Sequence, residues 1–269
     1  MNATFKVAAI AAALSLSMGA KAEIIIDLFS TDQAQITDNS ADDTVFAWSS
    51  VSTAGDDILG GERDLIINQI AQDGTTDPDI NARLGVSSGR LAYSNDTGSK
   101  SIAEVQWDGD DGSADLDATG LNNVDLTMGG TLNAFLVETI SSDADWNFEV
   151  WAYTDADNYT VISFAATEVK SGTGPVLSTI SFDGFYACGL GPGVVDGVNS
   201  VTCVGTGVDL TNLGALRLVL NTGFGSQASA FDIDLRLGSI TTIPEPGVLA
   251  LMGMGLLAAG FAGRRKSKA

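Results

Sequence analysis

Phe231-Asp232-Ile233-Asp234-Leu235-Arg236-Leu237 alternates apolar and polar side chains without a break. A β-strand sends successive side chains to opposite faces, so this stretch makes one apolar face and one wet face. Trp146-Asn147-Phe148-Glu149-Val150 repeats the pattern. Residues 24–29, 65–70, 90–94, 101–107, 134–140, 159–164, 179–182 and 216–220 read the same way, which gives about ten strands. Asp-Gly, Ser-Gly, Asn-Asp and Gly-Gly pairs lie between them and favour turns. No long amphipathic helix is legible between residues 23 and 243. The pattern predicts an all-β chain folded as an antiparallel β-sandwich, with a jelly roll as one arrangement of its connections. No internal repeat or long linker interrupts it, so residues 23–241 are expected to form one domain large enough to bury a substantial core.

The two ends are set apart by composition. Residues 1–22 carry Lys6, an apolar stretch over 7–18, and Ala20-Lys21-Ala22. This is the form of a secretory signal peptide cut after Ala22, leaving Glu23 as the first mature residue. It implies Sec-type export machinery and a signal peptidase as partners. At the other end, Ile243-Pro244-Glu245-Pro246 leads into an uncharged apolar run over 247–263, followed by Arg264-Arg265-Lys266-Ser267-Lys268-Ala269. As a helix the run spans about 25 Å, near the lower limit for crossing a bilayer core. The basic cluster would stay cytoplasmic.

A plain tail anchor is one reading of that segment. The order Pro-Glu-Pro, short glycine-rich apolar helix and arginine cluster also resembles the PEP-CTERM sorting domain of exported Gram-negative proteins. Pro244, Glu245 and Pro246 match its motif, and Arg264 and Arg265 its basic stop. The resemblance implies a sorting segment over 242–269 and an exosortase-type membrane protease that cuts near the motif. The protein would be membrane-inserted before processing, then at the cell surface or extracellular. Gly60-Gly61-Glu62-Arg63-Asp64-Leu65, Trp107-Asp108-Gly109 and the segment 120–127 resemble a recurring domain type among PEP-CTERM proteins, a resemblance that implies no activity. Glu62-Arg63-Asp64 is expected to form an ion pair at the start of a strand.

Charge narrows the function. The chain has 34 acidic and 13 basic residues and no histidine. Six of the basic residues lie in the two terminal segments, so the region between Glu23 and Ile243 is near −26. Such a surface repels nucleic acid and anionic lipid and attracts cations. Without histidine there is no Ser-His-Asp or Cys-His arrangement and no ordinary zinc site. No phosphate-cradling or dinucleotide fingerprint is present.

Three sets of residues remain as candidates. Cys188 and Cys203 are the only cysteines, and export predicts a disulfide between them. Asp108, Asp110, Asp111, Asp115 and Asp117 lie within ten residues, with Gly109 and Gly112 to bend the backbone. They would suit calcium, which takes six to eight oxygens. The EF-hand spacing fails at Gly112 and Thr119, and an acidic turn after the 101–107 strand explains the same residues. Trp151 breaks the alternation after Val150, so one of the two faces outward. Trp48, Trp107, Trp146 and Trp151 could each stack on a sugar ring or pack in the core, with core packing the commoner use of tryptophan, and Trp151 is the named carbohydrate candidate. Asp155-Ala156-Asp157-Asn158 reads as a hairpin turn. The expectation is a non-catalytic cell-surface or matrix protein associated with extracellular polysaccharide and needing no cofactor. A carbohydrate- or calcium-binding module and a glycoside-active enzyme are the alternatives.

Overall fold

The computed structural model describes residues 23–40, 45–72, 79–189, 198–223 and 230–244. The expected signal peptide, Glu245, Pro246, the apolar run 247–263, Arg264 and Arg265 lie outside these residues. Among the described residues no helix is long and apolar enough to cross a membrane.

Fourteen strands are present among the described residues: β1 (Ile25–Asp27), β2 (Gln33–Asp38), β3 (Ala47–Ser52), β4 (Glu62–Gln72), β5 (Ala82–Ser87), β6 (Arg90–Asn95) and β7 (Ser99–Trp107), then β8 (Ala134–Ser142), β9 (Trp146–Asp155), β10 (Asn158–Ala166), β11 (Val176–Ser181), β12 (Val198–Val204), β13 (Ala215–Leu220) and β14 (Asp234–Ile243). They form two antiparallel sheets. The first runs β11-β8-β14-β6-β5-β2, with β1 also on β14, and the second runs β12-β10-β9-β13-β7-β4-β3. The sheets pack face to face as the sandwich that the alternation predicted.

Period-two patterning explains the core. Leu235 and Leu237 of β14 are buried between exposed Asp234 and Arg236. Ala103, Val105 and Trp107 of β7 and Leu216, Leu218 and Leu220 of β13 fill the inner face of the second sheet. The opening stretch departs from the pattern at one residue. Asp232 sits at φ 57°, a left-handed turn that takes Phe231 off the strand. Phe231 is exposed, with Lys100 Nζ 5.4 Å from its ring centre. At its other end β14 continues to Ile243, and Thr242 N–H bonds Ile24 O at 2.8 Å. The sandwich therefore holds the first two residues of the segment 242–269.

Arg63 corrects one expectation. It pairs with neither Glu62 nor Asp64, because alternation along β4 turns Arg63 to the core side and its two neighbours to the outer side. Its NH1 donates to both carboxylate oxygens of Asp27 at 3.0 Å, with both side chains fully buried. Nε donates to Gln33 Oε1 at 2.8 Å and NH2 to Thr31 O at 2.7 Å. Trp107 Nε1 and Phe29 N complete the shell of Asp27 at 3.0 and 2.7 Å. This network joins β1 of the first sheet to β4 and β7 of the second. Cys188 and Cys203 form a disulfide, with Cα atoms 5.4 Å apart.

Candidate functional site

The outer face of the second sheet carries the chemistry. On β9 the core takes Phe148, Val150 and Ala152, so Glu149, Trp151 and Tyr153 point the other way. This settles which of Val150 and Trp151 faces outward. The register then aligns rows across the sheet. Trp151 lies beside Arg217 of β13, Arg217 beside Gln106 of β7, Gln106 beside Asp64 of β4, and Asp64 beside Ser50 of β3. The next row runs Glu149, Val219, Glu104, Ile66 and Trp48. Four strand spacings separate Trp151 from the β3 edge, roughly 19 Å.

One end of this face is aromatic. The Asp155–Asn158 turn joins β9 to β10 and brings Tyr159 opposite Tyr153. Trp151 lies 6.3 Å from Tyr153 and 5.9 Å from Tyr159, ring centre to ring centre, at 19° in both pairs. Arg217 lies over the Trp151 ring, 4.3 Å from its centre, and approaches Glu104 Oε2 at 3.4 Å. Trp151 Nε1 donates to Glu149 Oε2 at 2.9 Å. Burial pushes the Tyr153 phenol up to about 12. The result is an aromatic patch in which Trp151 and Tyr159 are half-buried and Tyr153 is buried beneath them, ringed by one guanidinium and two carboxylates. Trp48, at the opposite edge, is 44% exposed.

The other end is acidic. Glu62, Asp64 and Asp111 each place a carboxylate oxygen so that all lie within 4.8 Å of one another. Gly112 N donates to Glu62 Oε1 at 3.0 Å, and Ser52 Oγ donates to Asp110 Oδ1 at 2.8 Å, which folds the 108–112 loop back onto β3 and β4. Burial, then Asp108, Glu62 and Asp111, pushes the Asp64 carboxyl up to about 8. Burial and Asp111 push Asp108 up to about 6, against the pull of the Asp117 N–H.

Glycines permit this approach. A Cβ on Gly60, at φ 75°, would stand 2.5 Å from Leu121 and 3.3 Å from Gly109. A Cβ on Gly109 would stand 2.6 Å from Gly120 O, and one on Gly120 would collide with Asp108 O. The three motif segments singled out in the sequence thus meet at one place, around the acidic cluster.

Of the five clustered aspartates, the fold brings Asp108, Asp110 and Asp111 towards Glu62 and Asp64. It leaves Asp115 exposed and gives the Asp117 carboxylate to Thr119, whose N and Oγ1 both donate to it at 2.9 Å. Glu62 and Asp64 were legible only as an ion pair with Arg63. Strand alternation was the available signal that they share a face. Tyr153 and Tyr159 also went unread; they become cross-strand neighbours through a register shift between Asn158 and Tyr159 that counting outward from the turn does not give. On the first sheet a separate cleft of about 540 Å³ is bordered by Asp143, Glu168, Lys170, Asp234 and Arg236.

Residues 242–266 match the family model described as the PEP-CTERM protein-sorting motif. The chain therefore carries an exosortase-type sorting signal, which marks an exported protein sorted at the membrane. No curated protein matches the chain. Among solved structures, PfGH50B is similar at 9% identity and TM-score 0.37, over 61% of this chain and 22% of that one. A family 11 carbohydrate-binding module from Clostridium thermocellum, in complex with a β-1,3-1,4-mixed-linked tetrasaccharide, is similar at 11% identity and TM-score 0.35, over 84% of this chain and 98% of that one. At such identities and TM-scores neither neighbour assigns a ligand or an activity here.

Proposed function

We propose that this chain is a non-catalytic surface protein whose sandwich holds extracellular polysaccharide against the outer face of its second sheet. The observation that carries this reading is the Trp151–Tyr153–Tyr159 patch beside Arg217, Glu149 and Glu104. Aromatic carbon suits the apolar faces of sugar rings, while a guanidinium and carboxylates suit hydroxyls. Arg217 covers part of one Trp151 face, so contact would use the rest of the patch rather than that ring alone. The open width towards Trp48 suits an extended chain more than a small enclosed ligand. A strongly negative domain favours neutral glycans over polyanionic ones.

A glycoside-cleaving pair would need one protonated and one ionised carboxyl, both within reach of the sugar. Asp64 has both oxygens sealed from solvent, however, and cannot reach a glycosidic bond. The test is co-sedimentation of the exported protein with exopolysaccharide purified from its own host. The wild type should pellet with the polymer, and Trp151→Ala/Tyr159→Ala should stay in solution while keeping its unfolding midpoint. Equal pelleting of both proteins would overturn the assignment of the face. No pelleting of either would overturn the polysaccharide reading.

A further inference from the structure

Asp64 is fully buried, and apart from the neighbouring Asp108 carboxyl no group among the described residues donates a hydrogen bond to either of its oxygens. Asp108 is 1% exposed; besides its contact with Asp64, it accepts the Asp117 N–H on Oδ2 at 2.8 Å, and no cationic side chain among the described residues reaches it. Glu62 is buried beside them and accepts from Gly112 N and Ser52 Oγ. Asp111 closes the group from the solvent side. Among the described residues no lysine or arginine forms an ion pair with any of these carboxylates. Arg63, between Glu62 and Asp64 in sequence, is turned to the opposite face and held by Asp27. Gln106, paired with Asp64 across β4 and β7, has a buried Oε1 that is unpartnered.

Buried carboxylates persist only when something supplies the missing positive charge or proton. A single proton shared by Asp64 and Asp108 would leave Glu62 and Asp111 crowded against them. One cation among all four meets the whole arrangement. We propose that Glu62, Asp64, Asp108 and Asp111 bind one calcium ion, with Gln106 Oε1 as a neutral ligand.

The donor set is all oxygen, which selects a hard cation over a transition metal. The Glu62, Asp64 and Asp111 oxygens lie within 4.8 Å of one another, which fits calcium, whose ligands stand up to about 5 Å apart across the ion; Asp108 adjoins them through its contact with Asp64. Magnesium demands a tighter octahedron and sheds water reluctantly. The site differs from a five-aspartate loop, since half of it comes from β4 and none from Asp115 or Asp117. It stands independently of polysaccharide binding, although it shares the outer face with Trp151. An affinity in the range of extracellular modules is expected, with Kd about 10⁻⁴–10⁻³ M.

The test is thermal unfolding and titration calorimetry of the exported protein after chelator treatment. Calcium at about a hundredfold excess over its Kd should raise the midpoint by roughly 5–10 °C. Magnesium should do less, and sodium at matched ionic strength should do little. Asp64→Asn and Glu62→Gln should abolish the calcium-specific rise. Asp115→Asn/Asp117→Asn and Trp151→Ala should keep it. Asp64→Asn removes a buried charge and is expected to fold; if it does not, Glu62→Gln decides. Equal shifts from sodium and calcium would overturn the site, as would calcium binding that survives both Asp64→Asn and Glu62→Gln. Loss of binding in the Asp115/Asp117 variant would return the ion to the loop.

Discussion

The Asp27–Arg63 pair joins the two sheets through the core, and removing one partner should be among the costliest single changes in the domain. Arg63→Met takes away four donor contacts at once: two to Asp27, one to Gln33 Oε1 and one to Thr31 O. It leaves the Asp27 carboxylate buried with only Phe29 N and Trp107 Nε1 as donors. An uncompensated buried charge of this kind costs about 3–5 kcal/mol. Asp27→Leu should cost a similar amount, because the guanidinium then stays buried without its counter-charge. The double variant Asp27→Leu/Arg63→Met buries neither charge. It still orphans Trp107 Nε1 and Thr31 O, at about 1–3 kcal/mol for each unsatisfied group. Its total should therefore fall short of the sum of the single variants by about 2–4 kcal/mol. Urea unfolding followed by tryptophan fluorescence measures all four corners of the cycle, and Trp107 reports directly on the network. Single variants that each lose less than about 1 kcal/mol, or a strictly additive double variant, would refute the claim that this pair acts as one coupled clamp.

Three further outcomes follow from the geometry. Cys188→Ser/Cys203→Ser should lower the unfolding free energy by about 3 kcal/mol, as expected for a loop of this length; an unchanged urea midpoint would mean the bond does not constrain the unfolded chain. Gly120→Ala drives a methyl into the Asp108 carbonyl and should cost about 1–3 kcal/mol or more, whereas Gly112→Ala, with open space around it, should cost only its left-handed strain of about 1–2 kcal/mol; midpoints that reverse this order would contradict the packing. Tyr153 has its folded pKa raised to about 12 by burial, so the stability it contributes is fully present below the unfolded value near 10 and is lost as pH rises between the two. Tyr153→Phe should flatten the stability profile in that window, and an alkaline titration that is the same with and without Tyr153 would rule this out.

Strands with strict alternation were legible because one buried face forces period two. β14, β9 and β7 all show it. β2, β3, β5 and β12 did not announce themselves. Gln33-Ala34-Gln35-Ile36-Thr37-Asp38 and Ala47-Trp48-Ser49-Ser50-Val51-Ser52 are short and polar-rich, and both lie at sheet edges where one flank needs no partner. Ala82-Arg83-Leu84-Gly85-Val86-Ser87 contains a glycine because a Cβ there would stand 2.8 Å from Gln35 Cα, a constraint set by a strand distant in sequence. The site was half legible for a similar reason. Local acidic density pointed to Asp108, Asp110 and Asp111. Glu62 and Asp64 join them only through β4–β7 pairing across some forty residues of chain, which no local pattern encodes. Trp151 was legible from its break in alternation. Tyr153, Tyr159 and Arg217 needed the hairpin and the β9–β13 register to bring them beside it.

The most direct measurement is nitrogen-15 NMR of the exported domain titrated with fragments of its host's extracellular polysaccharide. The expected result is perturbation confined to the outer face of the second sheet. It should be strongest at the Trp151 Nε1–H and the Arg217 side chain, present at Tyr153 and Tyr159, and absent at Asp143, Lys170 and Arg236 on the first sheet. Perturbation centred on that first-sheet cleft, or none from any fragment at concentrations that saturate co-sedimentation, would contradict the polysaccharide-binding face.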